Sequence, residues 1–176
     1  MDISVVESFE STALASGEHV REELSSLLID CVESGASVGF IRPFSHTDAM
    51  AYWEGVEADM SSGIRKLILA HDGDKVLGSV QLSMTDKRNG LHRAEVEKLM
   101  VRTCARGKGL AKQLMLKLES LALELDRTLI VLDTRKGDVA STLYLNLGYS
   151  FAGEIPNFAL SSDGEYEATV LFYKEL

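Results

Sequence analysis

The chain has 176 residues, 45% of them apolar, enough to fill one ordinary hydrophobic core without staples. Its 27 acidic residues against 18 basic ones give a formal charge of -9, which argues against nucleic acid or an anionic membrane surface and suits an amine-bearing partner. Two cysteines, Cys31 and Cys104, are too few for a disulfide framework or a four-ligand zinc site, and no stretch approaches the roughly 18 apolar residues of a membrane span.

Residues 1–10 carry Asp2 and Glu7 but no basic segment leading into an apolar run, so a cytoplasmic protein is expected. No repeat or Pro/Gly linker divides the chain, and a single domain over 1–176 is expected. Val20, Leu24, Leu27, Leu28 and Cys31 recur on one helical face beside Glu18, Arg21, Glu22 and Glu23. A second helix is predicted over residues 45–60, with Ser45 and Asp48 as a capping pair and Met50, Trp53, Val56 and Met60 as the buried stripe. Extended runs at 67–70 and 76–82 flank Asp72-Gly73-Asp74 and read as a hairpin.

Asn89-Gly90 closes a polar loop, after which residues 94–101 alternate as a strand does. Leu110, Leu114, Leu118, Leu121 and Leu125 then form a strong helical stripe. Residues 128–132 read as a covered central strand with Asp133 at its end. A short helix is predicted from Asp138, as cap, through Leu147, with Gly148 stopping it. Strands at 149–155 and 168–173 close the chain around the Ser161-Ser162-Asp163-Gly164 turn. This order predicts a mixed α/β layer fold with one central sheet.

The most informative segment is the turn between the strand ending at Val101 and the helix starting at Leu110. Backbone N–H groups converge at such a helix start, and Gly107 and Gly109 let a ligand approach the main chain without Cβ crowding. Arg102, Arg106 and Lys108 concentrate positive charge there in an acidic chain, so a phosphate or pyrophosphate is the expected occupant. The nucleoside triphosphate motif G-x-x-x-x-G-K-[ST] and the dinucleotide motif G-x-G-x-x-G are both absent.

Arg106-Gly107-Lys108-Gly109-Leu110-Ala111 resembles the acetyl-CoA motif of the GNAT acetyltransferase family. Downstream, residues 140–149 resemble that family's short tyrosine-bearing helix and the glycine-aromatic start of the next strand. The resemblance implies an α/β fold with a mixed, mostly antiparallel sheet and helices on both faces. It also implies acetyl-CoA as co-substrate, no metal, and transfer of an acetyl group directly to an amine. The pyrophosphate would rest on backbone amides from Gly107 through Ala111, with Arg106 and Lys108 beside it. Leu99, Met100 and Val101 would offer main-chain groups to the pantetheine arm, and the Val101 N–H would support the developing oxyanion. Gly137 stands where many members carry Asn. Residues 92–101, Leu132-Asp133-Thr134 and Gly137 further resemble a member of the family that acetylates an amino-acid-like toxin.

An alkylammonium with a pKa of about 10.4 must lose a proton before it attacks a thioester. Glu95 and Asp133 are the candidate bases, and Asp133 is equally suited to capping a turn or holding the substrate ammonium. Periodicity alone would make Glu95 and Glu97 the charged side of a half-exposed strand. The resemblance makes Tyr144 the acid that protonates the departing thiolate. Cys104 has no histidine near it in sequence and reads as a small loop residue. His19, His46, His71 and His92 lack metal-ligand spacing. His92, Arg93, Met50, Tyr52 and Trp53 are candidates for the rim of the acceptor pocket, with strand-start and core-packing roles as the plainer explanation. A small amine is the expected acceptor, as monomer or homodimer. A peptide N-terminus or lysine, or a noncatalytic acetyl-CoA sensor, are the alternative readings.

Overall fold

The computed structural model describes residues 1–12 and 14–176. In chain order the elements are β1 (Asp2–Val6), α1 (Gly17–Glu33), α2 (His46–Ser61), β2 (Arg65–Asp72), β3 (Lys75–Met84), β4 (Arg93–Val101), α3 (Leu110–Glu124), β5 (Leu129–Arg135), α4 (Ala140–Asn146), β6 (Ser150–Leu160) and β7 (Tyr166–Glu175). The strands form one sheet in the order β1-β2-β3-β4-β5-β7-β6. Only β4 and β5 run parallel; the other adjacent pairs are antiparallel.

Local chemistry sets the helix starts. The Ser16 hydroxyl accepts the His19 N–H at 3.1 Å at the head of α1. Ser45 and Asp48 make a reciprocal capping box, with Asp48 N–H on Ser45 Oγ at 3.1 Å and Ser45 N–H on an Asp48 carboxylate oxygen at 3.0 Å. The strand β1 was not anticipated from the sequence. Of its five residues only Val6 is buried, and the strand gains its conformation from pairing with β2, from Asp2 opposite His71 to Val6 opposite Leu67.

Both sheet faces are covered over its first half. Leu67 and Leu69 of β2 join Leu24, Leu28 and Trp53 on the α1/α2 side, while Ile68 and Ala70 join Leu114 and Leu118 on the α3 side. This period-two division explains why the run 67–70 has no polar residue.

In β4 the alternation changes partway. Ala94 and Val96 pack toward α3, yet Met100 belongs to the core on the α1/α2 side. The cause is a β-bulge: Ser79 and Gln81 of β3 stand opposite Met100 and Glu97, so two steps on β3 match three on β4. Lys98 lies inside the bulge with φ of 50°, a left-handed conformation rare for a residue with a side chain. The regular alternation predicted for 94–101 therefore fails at Lys98, because the extra residue flips every side chain beyond it.

Gly78 of β3 faces the end of β4 closely: an added Cβ would lie 2.8 Å from the Met100 carbonyl oxygen and 3.1 Å from Leu114 Cδ1. Gly78→Ala should therefore lower stability by about 1–3 kcal/mol through overpacking, read as a fall in the urea midpoint with little change in slope.

Candidate functional site

The parallel pairing of β4 and β5 lasts only from Arg93 opposite Leu129 to Glu95 opposite Val131. Beyond it the strands diverge, and a cleft of about 820 Å³ opens between them. Residues 95–101 of β4 form one wall and residues 133–135 of β5 the other. The Arg106 to Lys112 segment and Tyr144 of α4 close one end, and residues 34–39 after α1 border the other side.

At the head of α3 the first intrahelical bond runs from Gln113 N–H to the Gly109 carbonyl at 3.2 Å. The amides of Leu110, Ala111 and Lys112 precede it and have no acceptor within the helix, and Gly109 supplies no side-chain cap. Gly107 and Gly109 take φ of 74° and 78°, and a Cβ at either would meet nothing within 4 Å. Glycine is required here by backbone conformation, and it leaves the donor nest open to a ligand. The chemistry of this donor set, backbone N–H groups and a positive helix end, fits a pyrophosphate.

The basic side chains are deployed differently from the expectation. Arg102 is buried and structural: its guanidinium donates to the Val76 carbonyl at 3.0 Å and Ser26 Oγ at 3.0 Å, and it pairs with Glu23 at 3.3 Å. It contributes no free charge to the turn. Lys108 points back to the Cys104 carbonyl at 3.3 Å and does not line the cleft. Arg106 lines the cleft but is braced, with Nε on the Val101 carbonyl at 3.0 Å and a terminal nitrogen on Ser34 Oγ at 2.8 Å. Lys112, on the first turn of α3, is a cleft-lining cation that the sequence reading missed. The leucine stripe drew attention away from it, although its place three residues after Gly109 puts it beside the open amides.

Leu99, Met100 and Val101 border the cleft on β4, where β5 no longer occupies the neighbouring edge. Gly107, Gly109, Leu110 and Ala111 line it from the turn and α3. Tyr144 lies between Tyr149 and Phe172, with ring centroids 5.8 and 5.9 Å away, and borders the cleft from α4. Burial, followed by the charges of Asp138 and Asp133, pushes its phenol well above the ordinary tyrosine value, so it stays protonated. Asp138 accepts the Ala140 N–H at 3.0 Å, but the cap position of α4 falls on Val139, so the cap expected at Asp138 is displaced by one residue.

Glu95, Glu97 and Asp133 converge across the cleft. Glu97 is neutralised by Arg65 at 2.9 Å, and Arg65 also holds Asp59 and the Gln81 side-chain oxygen. Asp133 accepts the Thr169 hydroxyl at 2.6 Å. Glu95 has no cation within 4 Å among the described residues. Glu95 is exposed at the strand surface, and partial desolvation beside the cleft wall, then the neighbouring charges of Glu97 and Asp133, raise its proton affinity above that of an ordinary carboxylic acid.

The remaining candidates lie elsewhere. His92, Arg93, Met50, Tyr52 and Trp53 do not line the cleft. Trp53 is fully buried, Met50 meets the Ser25 hydroxyl through sulfur, and Tyr52 exchanges hydrogen bonds with Gln81. Cys104 is exposed in the turn, while Cys31 does border the cleft but is buried, with its thiol against the Val101 carbonyl and raised mainly by desolvation. Among the described residues no three His, Cys, Asp or Glu side chains are grouped to hold a metal ion, and no helix is long and apolar enough to cross a membrane.

With this geometry in place, comparison with known proteins is decisive at the level of the family. Residues 36–149, well over half the chain, match the Acetyltransferase (GNAT) family. Solved structures agree in fold. A ribosomal-protein-alanine N-acetyltransferase from Brucella melitensis superposes with TM-score 0.78 at 20% identity, over 100% of both chains. An N-acetyltransferase from Staphylococcus aureus Mu50 gives 0.76 at 17% identity, over 99% of each. An aminoglycoside 6'-N-acetyltransferase complexed with coenzyme A gives 0.72 at 18%, over 99% of this chain and 97% of that one. The chain belongs to the GNAT acetyltransferase family, and it is an acetyl-CoA-dependent N-acetyltransferase.

The raised proton affinity of Glu95 has a consequence for stability. A carboxyl that holds its proton more tightly when folded favours the fold at low pH and loses that contribution as pH rises through the folded value. Glu95→Gln should therefore melt at a higher temperature than the wild type at pH 7.5, with the difference vanishing below about pH 4, where the carboxyl is protonated in both states. Thermal melts of both proteins across that range check this.

Proposed function

We propose that this enzyme acetylates a small amine, with Glu95 and Asp133 handling the acceptor proton and Tyr144 serving as the acid for the leaving sulfur. The observation that carries the reading is the cleft between β4 and β5, which brings Glu95, Asp133 and Tyr144 to one space continuous with the amide nest at Gly107–Ala111. Acetyl-CoA supplies the activated acyl group when bound. The nest would hold its pyrophosphate, Arg106 would brace the strand, and residues 99–101 would present main-chain groups along the pantetheine arm. Lys108 enters this arrangement only through its backbone amide, since its ammonium is turned to Cys104.

In the transfer itself, Glu95 takes the acceptor ammonium's proton directly or through a water, with Asp133 beside it to hold the ammonium. The freed amine lone pair attacks the thioester carbonyl carbon, while the Val101 N–H supports the developing oxygen charge. As the C–N bond forms and the C–S bond breaks, Tyr144 gives its phenolic proton to the departing sulfur. Direct transfer needs no acyl-enzyme, which agrees with a Cys31 thiol that burial keeps protonated at the cleft margin and with Cys104 in an exposed turn.

Among acceptors, an amino-acid-like toxin such as tabtoxinine-β-lactam is the first to test, because residues 92–101 and Leu132-Asp133-Thr134 resemble the tabtoxin resistance protein. The competing acceptors are peptide N-termini and lysine side chains. Thiol release with mass spectrometry of products across amino acids, toxin-like amines, polyamines, aminoglycosides and peptides tests the choice. Acetyl-CoA binding without turnover of any amine would defeat it and leave a sensor. Tyr144→Phe should keep the shape but cut kcat at saturating acetyl-CoA by at least about tenfold. Glu95→Gln should lower kcat/KM by about 10²-fold or more and erase the acidic limb of its pH profile, whose inflection lies above the ordinary glutamate value of about 4.3.

A further inference from the structure

We infer that Lys98 is the specificity residue of the acceptor site, binding a carboxylate on the acceptor while the acids opposite hold its amine. The inference rests on the acetyltransfer reading above and deepens it, by assigning the acceptor class as amines that also carry an acidic group.

The first support is conformational. Lys98 has φ of 50° inside the β4 bulge, a geometry that glycine adopts without penalty and that a residue with a Cβ adopts only under strain. A backbone that favours glycine carries instead the longest cationic stem available. The bulge also puts the neighbours Glu97 and Lys98 on the same face, so the ammonium joins Glu95, Glu97 and Asp133 on the side of the sheet that α1 and α2 only partly cover.

The second support is the lack of a partner. Among the described residues no carboxylate lies within 4 Å of the Lys98 ammonium, although the side chain is half-buried. Its nitrogen faces the rings of Phe40 and Tyr52, whose centroids lie 5.7 and 5.9 Å away, so two aromatic faces and no hydrogen-bonded anion surround the charge. Burial outweighs the nearby acids and lowers its proton affinity, which marks a cation short of hydrogen-bonded anions. The other cations along the cleft differ. Arg135 is engaged with Asp138 and Glu167, Arg106 is held by Val101 and Ser34, and Lys112 stands at the distant α3 end.

The loop after α1 is the third support. Gly39, with φ of 83°, lies where an added Cβ would come within 3.2 Å of the Lys98 nitrogen, so any side chain at this position would crowd the ammonium and glycine leaves it uncovered. An acceptor whose ammonium meets Glu95 and Asp133 and whose carboxylate meets Lys98 satisfies both charges at once. A simple amine leaves Lys98 without its counter-ion.

The test compares matched acceptors under thiol-release kinetics: α-, β- and diamino acids, each beside its carboxamide and its decarboxylated amine. For the wild type, kcat/KM should favour the acids by about tenfold or more. Lys98→Met, which keeps an unbranched side chain of similar length, should raise KM for the acids by about tenfold and leave kcat, the KM for acetyl-CoA and the amide kinetics within about twofold. Lys98→Arg should keep most of the preference. Equal wild-type efficiency for acids and amides overturns the inference without any variant, and so does a loss in Lys98→Met that falls equally on all acceptors or on kcat. If no member of the panel is turned over, the inference fails; acetyl-CoA binding by calorimetry then shows whether the cofactor reading survives it.

Discussion

The site depends on one parallel strand pairing that stops early. Only three residue pairs join β4 to β5, and the sheet then parts while remaining anchored by antiparallel partners on both sides. A sheet that stayed closed would have no cleft, and one that parted from the start would lose Glu95 and Asp133 from opposite walls. The β4 bulge acts at the same place. By inserting Lys98 it turns Met100 into the α1/α2 core and leaves Leu99 and Val101 against the α3 side, so the far half of β4 is held by packing on both faces although its β5 edge is open.

Charge is arranged in two grades along this opening. Glu97 and Asp133 have close partners in Arg65 and Thr169, which fixes their positions. The exposed Glu95 and the half-buried Lys98 have none within bonding distance among the described residues, and desolvation shifts each toward its neutral form. Paired groups are fixed in the walls, while the unpaired Glu95 and Lys98 face the cleft without a bonded counter-charge. The same division separates Arg102, consumed by Glu23, Ser26 and Val76, from the uncapped amides at the start of α3.

The helices were legible because apolar stripes and capping pairs are local signals: the Leu110 to Leu125 stripe and the Ser45-Asp48 box needed no knowledge of the rest of the fold. Strand β1 was not legible, since Asp2–Val6 owes its conformation to β2 rather than to its own pattern. The glycine turn was readable for its backbone, and Gly107 and Gly109 do adopt positive φ. Its side chains were not. An arginine that solvates a turn and one that supports a strand, as Arg106 does, are the same letter until the Val101 carbonyl and Ser34 come within reach. Glu95-Val96-Glu97-Lys98-Leu99 reads as plain alternation, because a bulge is a property of two strands in register and leaves no mark on one.

The open margin of β4 also bears on how the molecule behaves in company. Unpaired backbone at the periphery of a sheet invites strand addition from a neighbouring chain. Here the exposed rung is recessed between two strands of its own sheet, flanked by Tyr144 on one side and the loop after α1 on the other. The open edge of β4 is therefore reached only from within the cleft, where the diverging β5 and its own sheet neighbours stand in the way of a strand added from the outside.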